Sequence, residues 1–139
     1  MGKINLGRVI LGGLVAGLII NISETILNVP VLGAQLEASL RSMNLPPVGG
    51  PQIAIFVVEA FALGIATVWL YASIRPRYGA SAGTGACAGL FVWFFAYLYP
   101  GVANGVLGIG SWKLITIGLI WGLVEIVIAS VAGAWLYKE

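Results

Sequence analysis

Residues 112–137 read WKLITIGLIWGLVEIVIASVAGAWLY, a run whose only charges are Lys113 near its start and Glu125 in its middle. A helix of that length is ~39 Å long, enough to cross a hydrocarbon core ~30 Å thick. The stretch predicts a membrane-spanning helix. Moving upstream, three more apolar runs of similar length stand at about Leu6–Leu27, Gln52–Ile74 and Gly79–Tyr99.

The composition agrees. Of 139 residues, 60% are hydrophobic and 9% are charged, against roughly 25% charged in soluble domains. Such a chain cannot cover a water-facing surface, so an ordinary soluble enzyme and a disordered tail are excluded. The net charge of +2 forms no clustered basic face, so no nucleic-acid partner is expected. There is no His and a single Cys, Cys87. His-ligated haem or zinc, a Ser-His-Asp triad and an internal disulfide are thereby excluded, and no metal or cofactor is expected. The expected fold class is all-α: one integral-membrane four-helix bundle over residues 1–139.

Lys3, Arg8, Arg75, Arg77 and Lys138 fall on one side of these spans, and Arg41 and Lys113 on the other. The excess predicts a cell-membrane protein with both termini in the cytoplasm. Trp69, Tyr71, Trp135 and Tyr137 then form an aromatic belt at the cytoplasmic interface, with Trp112 at the outer one. Lys3 and Arg8 before Val9–Ile20 imitate a signal peptide, but no small-x-small cleavage site follows, so the segment is read as a span.

Residues 29–50 form the first outer loop. Leu32, Leu36, Leu40 and Met43 recur at helical spacing, with Glu37 and Arg41 an i,i+4 pair. A short amphipathic helix on the membrane surface is expected there. Residues 99–111 carry Gly101, Gly105, Gly108 and Gly110, which predicts a tight, mobile connector.

The chain also repeats itself. Glu59, Trp69-Leu70-Tyr71 recurs as Glu125, Trp135-Leu136-Tyr137 at a constant offset of 66, and Gly13/Gly17 recurs as Gly85/Gly89 at an offset of 72. A tandem duplication of two-helix units, about 6–74 and 79–137, follows. Two spans per unit give both units the same orientation, a parallel repeat about an axis along the membrane normal. Gly13-x3-Gly17, Gly85-x3-Gly89 and Gly118-x3-Gly122 are small-x3-small patterns that allow close helix packing.

The chemistry is concentrated in Glu24, Glu59 and Glu125. Glu59 and Glu125 each stand twelve residues, ~18 Å, from the Tyr of their repeat, near the bilayer midplane. Asn21 falls at a similar depth, and Gly13, Gly17, Asn21, Glu24 and Asn28 share one stripe of the first helix. Glu59 shares its face with Gln52, Ala62 and Ala66. Such small neighbours place each Glu on a helix-packing face. No Lys, Arg or His lies within the membrane to pair with these carboxylates, which are costly in hydrocarbon. At least some must be protonated, solvated in a cavity or paired with a bound cation.

Three functional readings stay open. The first is a proton- or cation-coupled transporter or channel, with Glu24, Glu59 and Glu125 as ion sites and Asn21 and Asn28 as auxiliary ligands. The second is a non-catalytic subunit or assembly factor of a larger membrane complex, a homo-oligomer being compatible with either. The third, less favoured, is an acid–base enzyme acting on a lipophilic substrate. In span number and in carrying a Glu in the first helix, the chain is similar to the small multidrug transporters. Its long first outer loop, additional Glu residues and internal repeat depart from them, so no residue role is carried over.

Overall fold

The computed structural model describes residues 2–139, and its regular structure is entirely helical. Helix α1 (Leu6–Ile26) continues through a π-helical turn, Leu27–Val31, and is followed by the short α2 (Gly33–Ser42). Helix α3 covers Gly50–Tyr78; α4 (Ala82–Trp93) passes through a second π-helical turn, Phe94–Leu98, into α5 (Tyr99–Val106); α6 covers Trp112–Leu136. Four continuous helical stretches are long and apolar enough to cross a membrane: Leu6–Val31, Gly50–Tyr78, Ala82–Val106 and Trp112–Leu136. The chain is built as a multi-pass membrane protein.

Local chemistry sets the helix ends. The side chains of Asn5, Ser81 and Ser111 accept hydrogen bonds from the backbone N–H of Arg8, Thr84 and Leu114, capping α1, α4 and α6. Gly79 ends α3 with φ at 88°, a left-handed conformation that favours glycine.

The third span corrects the expectation that residues 99–111 form a loop. The helix runs on to Val106, so the connector shrinks to residues 107–111, where Gly108 and Gly110 take φ of 75° and 83°. Gly101 and Gly105 are packing residues rather than loop residues. A Cβ on Gly105 would stand 2.5 Å from the Trp112 ring, and one on Gly101 would stand 3.1 Å from Leu119. Proline explains both π-helical turns. A proline inside a helix donates no N–H and crowds the carbonyl four residues back. Pro30 lies within the first π turn and Pro100 just beyond the second. Widening each turn lets the backbone pass the proline without breaking, as in Tyr99 N–H donating to the Phe94 carbonyl.

The spans pack as two antiparallel pairs, α1 on α3 and α4 on α6, joined mainly by α1 against α6 and more loosely by α3 against α4. Glycine sets the approach in each pair. A Cβ on Gly17 would stand 2.7 Å from the Phe61 Cα and 3.1 Å from the Ala60 carbonyl oxygen. One on Gly89 would stand 2.9 Å from the Ser130 Cβ and 3.0 Å from the Ile126 carbonyl oxygen. Gly13 backs onto Ile65, and Gly85 onto Val131 and Ala134. Gly122 lies against the Tyr97 ring. Gly118 is the exception among the expected packing glycines: a Cβ there would meet nothing within 4 Å. The α4–α5 rod packs on the face of α6 that carries Ile115, Leu119 and Gly122, and Gly118 lies outside that contact.

Both termini lie at one end of the bundle. There Tyr71 and Tyr137 are buried and meet edge to face at 6.0 Å, the Arg75 guanidinium sits 5.4 Å from the Tyr137 ring centre, and the Tyr137 hydroxyl accepts from Asn5 N–H at 3.2 Å. Trp69 and Trp135 point outward. At the opposite, loop end, α2 has Leu32 buried before it and Leu36, Leu40 and Met43 half-buried, while Glu37 and Arg41 pair on its exposed side.

Candidate functional site: an intramembrane carboxylate cluster

Glu125 is buried, an unusual environment for a carboxylate inside an apolar span. Its Oε1 accepts a hydrogen bond from the Tyr97 hydroxyl at 2.9 Å. Its Oε2 is buried and has no hydrogen-bond partner. Ser23 and Glu24 of α1 lie beside it. Ser23 Oγ accepts from Trp121 Nε1 at 2.9 Å, and the Glu24 carboxylate accepts from Asn28 Nδ2 at 2.7 Å. The result is a polar cluster drawn from α1, its π turn, the second π turn and α6.

Each contributor has a local cause. Trp121 precedes Glu125 by one turn on the same face of α6, so both face α1. Glu24 and Asn28 are likewise one turn apart, and Asn28 also donates to the Glu24 carbonyl, which ties its amide back to the last turn of α1. Tyr97 lies inside the second π turn. A π turn rotates side chains away from the ordinary helical register, and here it coincides with a phenol aimed at a buried acid. Small residues complete the fit, since the Tyr97 ring packs where a Cβ on Gly122 would stand.

The remaining sequence candidates are placed elsewhere. Asn21 is half-buried and donates from Nδ2 to the Val57 carbonyl at 3.3 Å, linking α1 to α3. Glu59 departs from the expectation that each Glu sits on a packing face: it is exposed, as are Gln52, Ala62 and Ala66 around it. The reason is the packing of Gly64, where a Cβ would run into the Gly13 carbonyl oxygen and the Gly17 backbone. Glu59 is five residues from Gly64, about 140° around the helix, so seating Gly64 on α1 turns Glu59 outward. Two of the three carboxylates come together and the third does not.

Tyr97, Ser23 and Trp121 belong to the cluster but were not among the candidate site residues. Trp121 was accessible from its i,i+4 relation to Glu125, and Ser23 from its adjacency to Glu24. Tyr97 was hidden by the π turn, because an unbroken 3.6-residue period does not place it correctly.

No cationic side chain touches the cluster, and no group of three or more His, Cys, Asp or Glu converges among the described residues. Carboxylate, hydroxyl and amide oxygens are hard donors, suited to a proton, a hard cation or an organic ammonium. A cleft of about 540 Å³ lies at the loop end, between Gln35, Ser39 and Ser42 of α2 and Ser111 and Lys113 at the start of α6. No known protein family, characterised protein or solved structure matches this chain.

Proposed function

We propose that this chain is a small proton- or cation-coupled membrane transporter or channel whose ion site is the Glu24–Glu125 pair. The observation that carries the reading is the meeting of two carboxylates from different spans, one with a buried oxygen that has no partner. Two adjacent acids in a low dielectric cannot both be ionised without a counter-charge, so the pair holds at least one exchangeable proton or a bound cation. Tyr97, Ser23 and Asn28 orient the acids. Asn21 acts in helix packing, and Glu59 lies outside this site. The cleft at the loop end is the entrance in this reading; Leu114, on its wall, lies about 17 Å along α6 from Glu125.

The tandem repeat and orientation form part of the proposal. The contact Gly17–Ala60 carbonyl has its counterpart in Gly89–Ile126 carbonyl, and Gly13–Ile65 in Gly85–Val131. These pairs reproduce both sequence offsets, 72 and 66, which supports duplication of one helix pair. Tyr71 and Tyr137, related by the same offset, touch each other, as two-fold mates do near an axis. The basic residues at the termini end support a cytoplasmic location for both termini, with α2 lying at the outer surface.

The test is flux in proteoliposomes. A pH gradient imposed across the membrane should drive uptake of an alkali cation or of a lipophilic ammonium probe. Glu125→Gln and Glu24→Gln should each abolish it while the protein remains folded. Absence of proton, alkali-cation and ammonium flux from the unaltered protein rejects the reading in favour of a structural subunit.

A further inference from the structure

The short helix α2 has three faces. Leu36 and Leu40 lie on a half-buried one, and Glu37 and Arg41 pair on an exposed one. Gln35, Ala38, Ser39 and Ser42 recur at helical spacing on the third. That face is one wall of the cleft of about 540 Å³ at the loop end, and Ser111 and Lys113 at the start of α6 form the other. Gly108 and Gly110 at its edge add no side chain, so the cleft stays open.

The chemistry of the cleft is one-sided. No Asp or Glu lines it among the described residues, and Glu37 is held by Arg41 on another face of α2. Lys113 is exposed and has no acidic partner among the described residues. The Ser111 hydroxyl accepts from Leu114 N–H, which leaves its own hydrogen to donate. The Ser39 hydroxyl and the Gln35 amide add further neutral donors. One cation among several donors, with no carboxylate, is complementary to an anion.

Depth narrows which anion. Lys113 and Tyr137 stand twelve residues, ~18 Å, on either side of Glu125 along α6. With Glu125 near the middle of a hydrocarbon core ~30 Å thick, Lys113 reaches the headgroup layer. The exposed Trp112 beside it suits the same interface. Met43 and Leu114 give the cleft an apolar part as well. That part suits the glycerol and first acyl carbons of a lipid and offers nothing to a free inorganic ion.

We propose that this cleft binds the phosphate of an anionic glycerophospholipid, with Lys113 as the counter-charge and Ser39, Ser111 and Gln35 as hydrogen-bond donors. Its volume falls within the roughly 300–1,000 Å³ of small-ligand sites, room enough for a headgroup. The ammonium of Lys113 acts as a point charge on the phosphate, and the hydroxyls orient it. A phosphate held there also offsets the Lys113 charge, which would otherwise repel a cation at this mouth. The binding itself does not depend on the transport reading.

Native mass spectrometry of the full chain in detergent tests it, with phosphatidylglycerol and phosphatidylcholine as probes. Phosphatidylglycerol should bind about fivefold tighter, the share of one basic residue at an anionic lipid surface. Lys113→Ala should remove that preference. Ala38→Phe, which fills the cleft from an exposed position, should abolish tight binding without lowering thermal stability. Lys138→Ala, which removes an exposed cation at the opposite end, should leave binding unchanged. No loss in Lys113→Ala or in Ala38→Phe, or an equal loss in Lys138→Ala, overturns the proposal. A separate arm addresses phosphate from solution, by calorimetry on the protein in phosphatidylcholine nanodiscs. Inorganic phosphate and glycerol phosphate should bind about tenfold more weakly than phosphatidylglycerol, or less. Binding of either as tight as that of the lipid overturns the lipid assignment.

Discussion

The Tyr97 hydroxyl donates to Glu125 Oε1 at 2.9 Å across two spans that are adjacent in sequence, and this is the only hydrogen bond held by that buried carboxyl among the described residues. A phenol so placed stabilises the acid in either protonation state, since it donates to an oxygen that is an acceptor in both.

Replacing Tyr97 by Phe removes this donor and leaves both carboxyl oxygens buried without partners. The expected cost is about 1–3 kcal/mol, the penalty for an unsatisfied buried polar group. Thermal unfolding in detergent micelles should show a clear drop for Tyr97→Phe. Tyr99→Phe is the control, because Tyr99 is exposed and holds no side-chain hydrogen bond. Equal melting of the two variants would show that the Tyr97 hydroxyl contributes nothing to Glu125.

Alanine at the packing glycines should separate real helix contacts from coincidental spacing. Gly17→Ala forces a Cβ to 2.7 Å from the Phe61 Cα, and Gly89→Ala forces one to 3.0 Å from the Ile126 carbonyl oxygen. Backbone contacts yield little, so each should destabilise by about 1–3 kcal/mol, as overpacking does. Gly118→Ala meets nothing. It should be neutral or gain up to ~1 kcal/mol from helix propensity. Equilibrium unfolding in mixed micelles measures all three, and destabilisation by Gly118→Ala would contradict the open space at that position.

These contrasts mark where the sequence was legible. Four apolar runs gave the spans because hydrocarbon thickness fixes their length, and the fourth was placed to within a residue at its end. The third was cut short at Tyr99, since Pro100 and the glycines after it carry the signature of a loop. A π turn accommodates the proline, and Gly101 and Gly105 are needed for close packing. The site was half legible. Glu24 and Glu125 stood out as charges in apolar surroundings. Which of the Glu residues would meet was decided by the seating of Gly64 on α1, a tertiary choice that face-counting on α3 alone does not contain.

Labelling tests the arrangement of the two ends. On a Cys87→Ser background, Val48→Cys lies in the segment before α3, and Ala80→Cys lies in the turn after it. A membrane-impermeant thiol reagent applied to intact cells should modify the first and spare the second until the membrane is permeabilised. The excess of Arg and Lys near the termini sets that direction. Labelling of Ala80→Cys alone would invert the orientation, and labelling of both would deny that α3 crosses the membrane.

The Glu24–Glu125 pair gives the most discriminating substitution. Glu125→Gln keeps the side-chain length, and its carbonyl oxygen can still accept from Tyr97. Its amide then occupies the place of Oε2, which has no partner now, and can donate towards Glu24. Stability should therefore hold or rise by up to about 1 kcal/mol, the typical net gain from one added hydrogen bond. Titration at position 125 is lost entirely. If the pair moves protons or cations, flux in proteoliposomes should fall to the level of empty vesicles although folding is intact. Glu125→Leu is uninformative on this point, since it leaves Tyr97 unpaired and destabilises the bundle whatever the function. Asn28→Ala provides a graded comparison: it removes the 2.7 Å bond to Glu24 but retains both acids. Flux should then persist with an altered pH dependence. A stable Glu125→Gln protein that transports as the parent does would show that the buried acid is helix-packing chemistry and not an ion site.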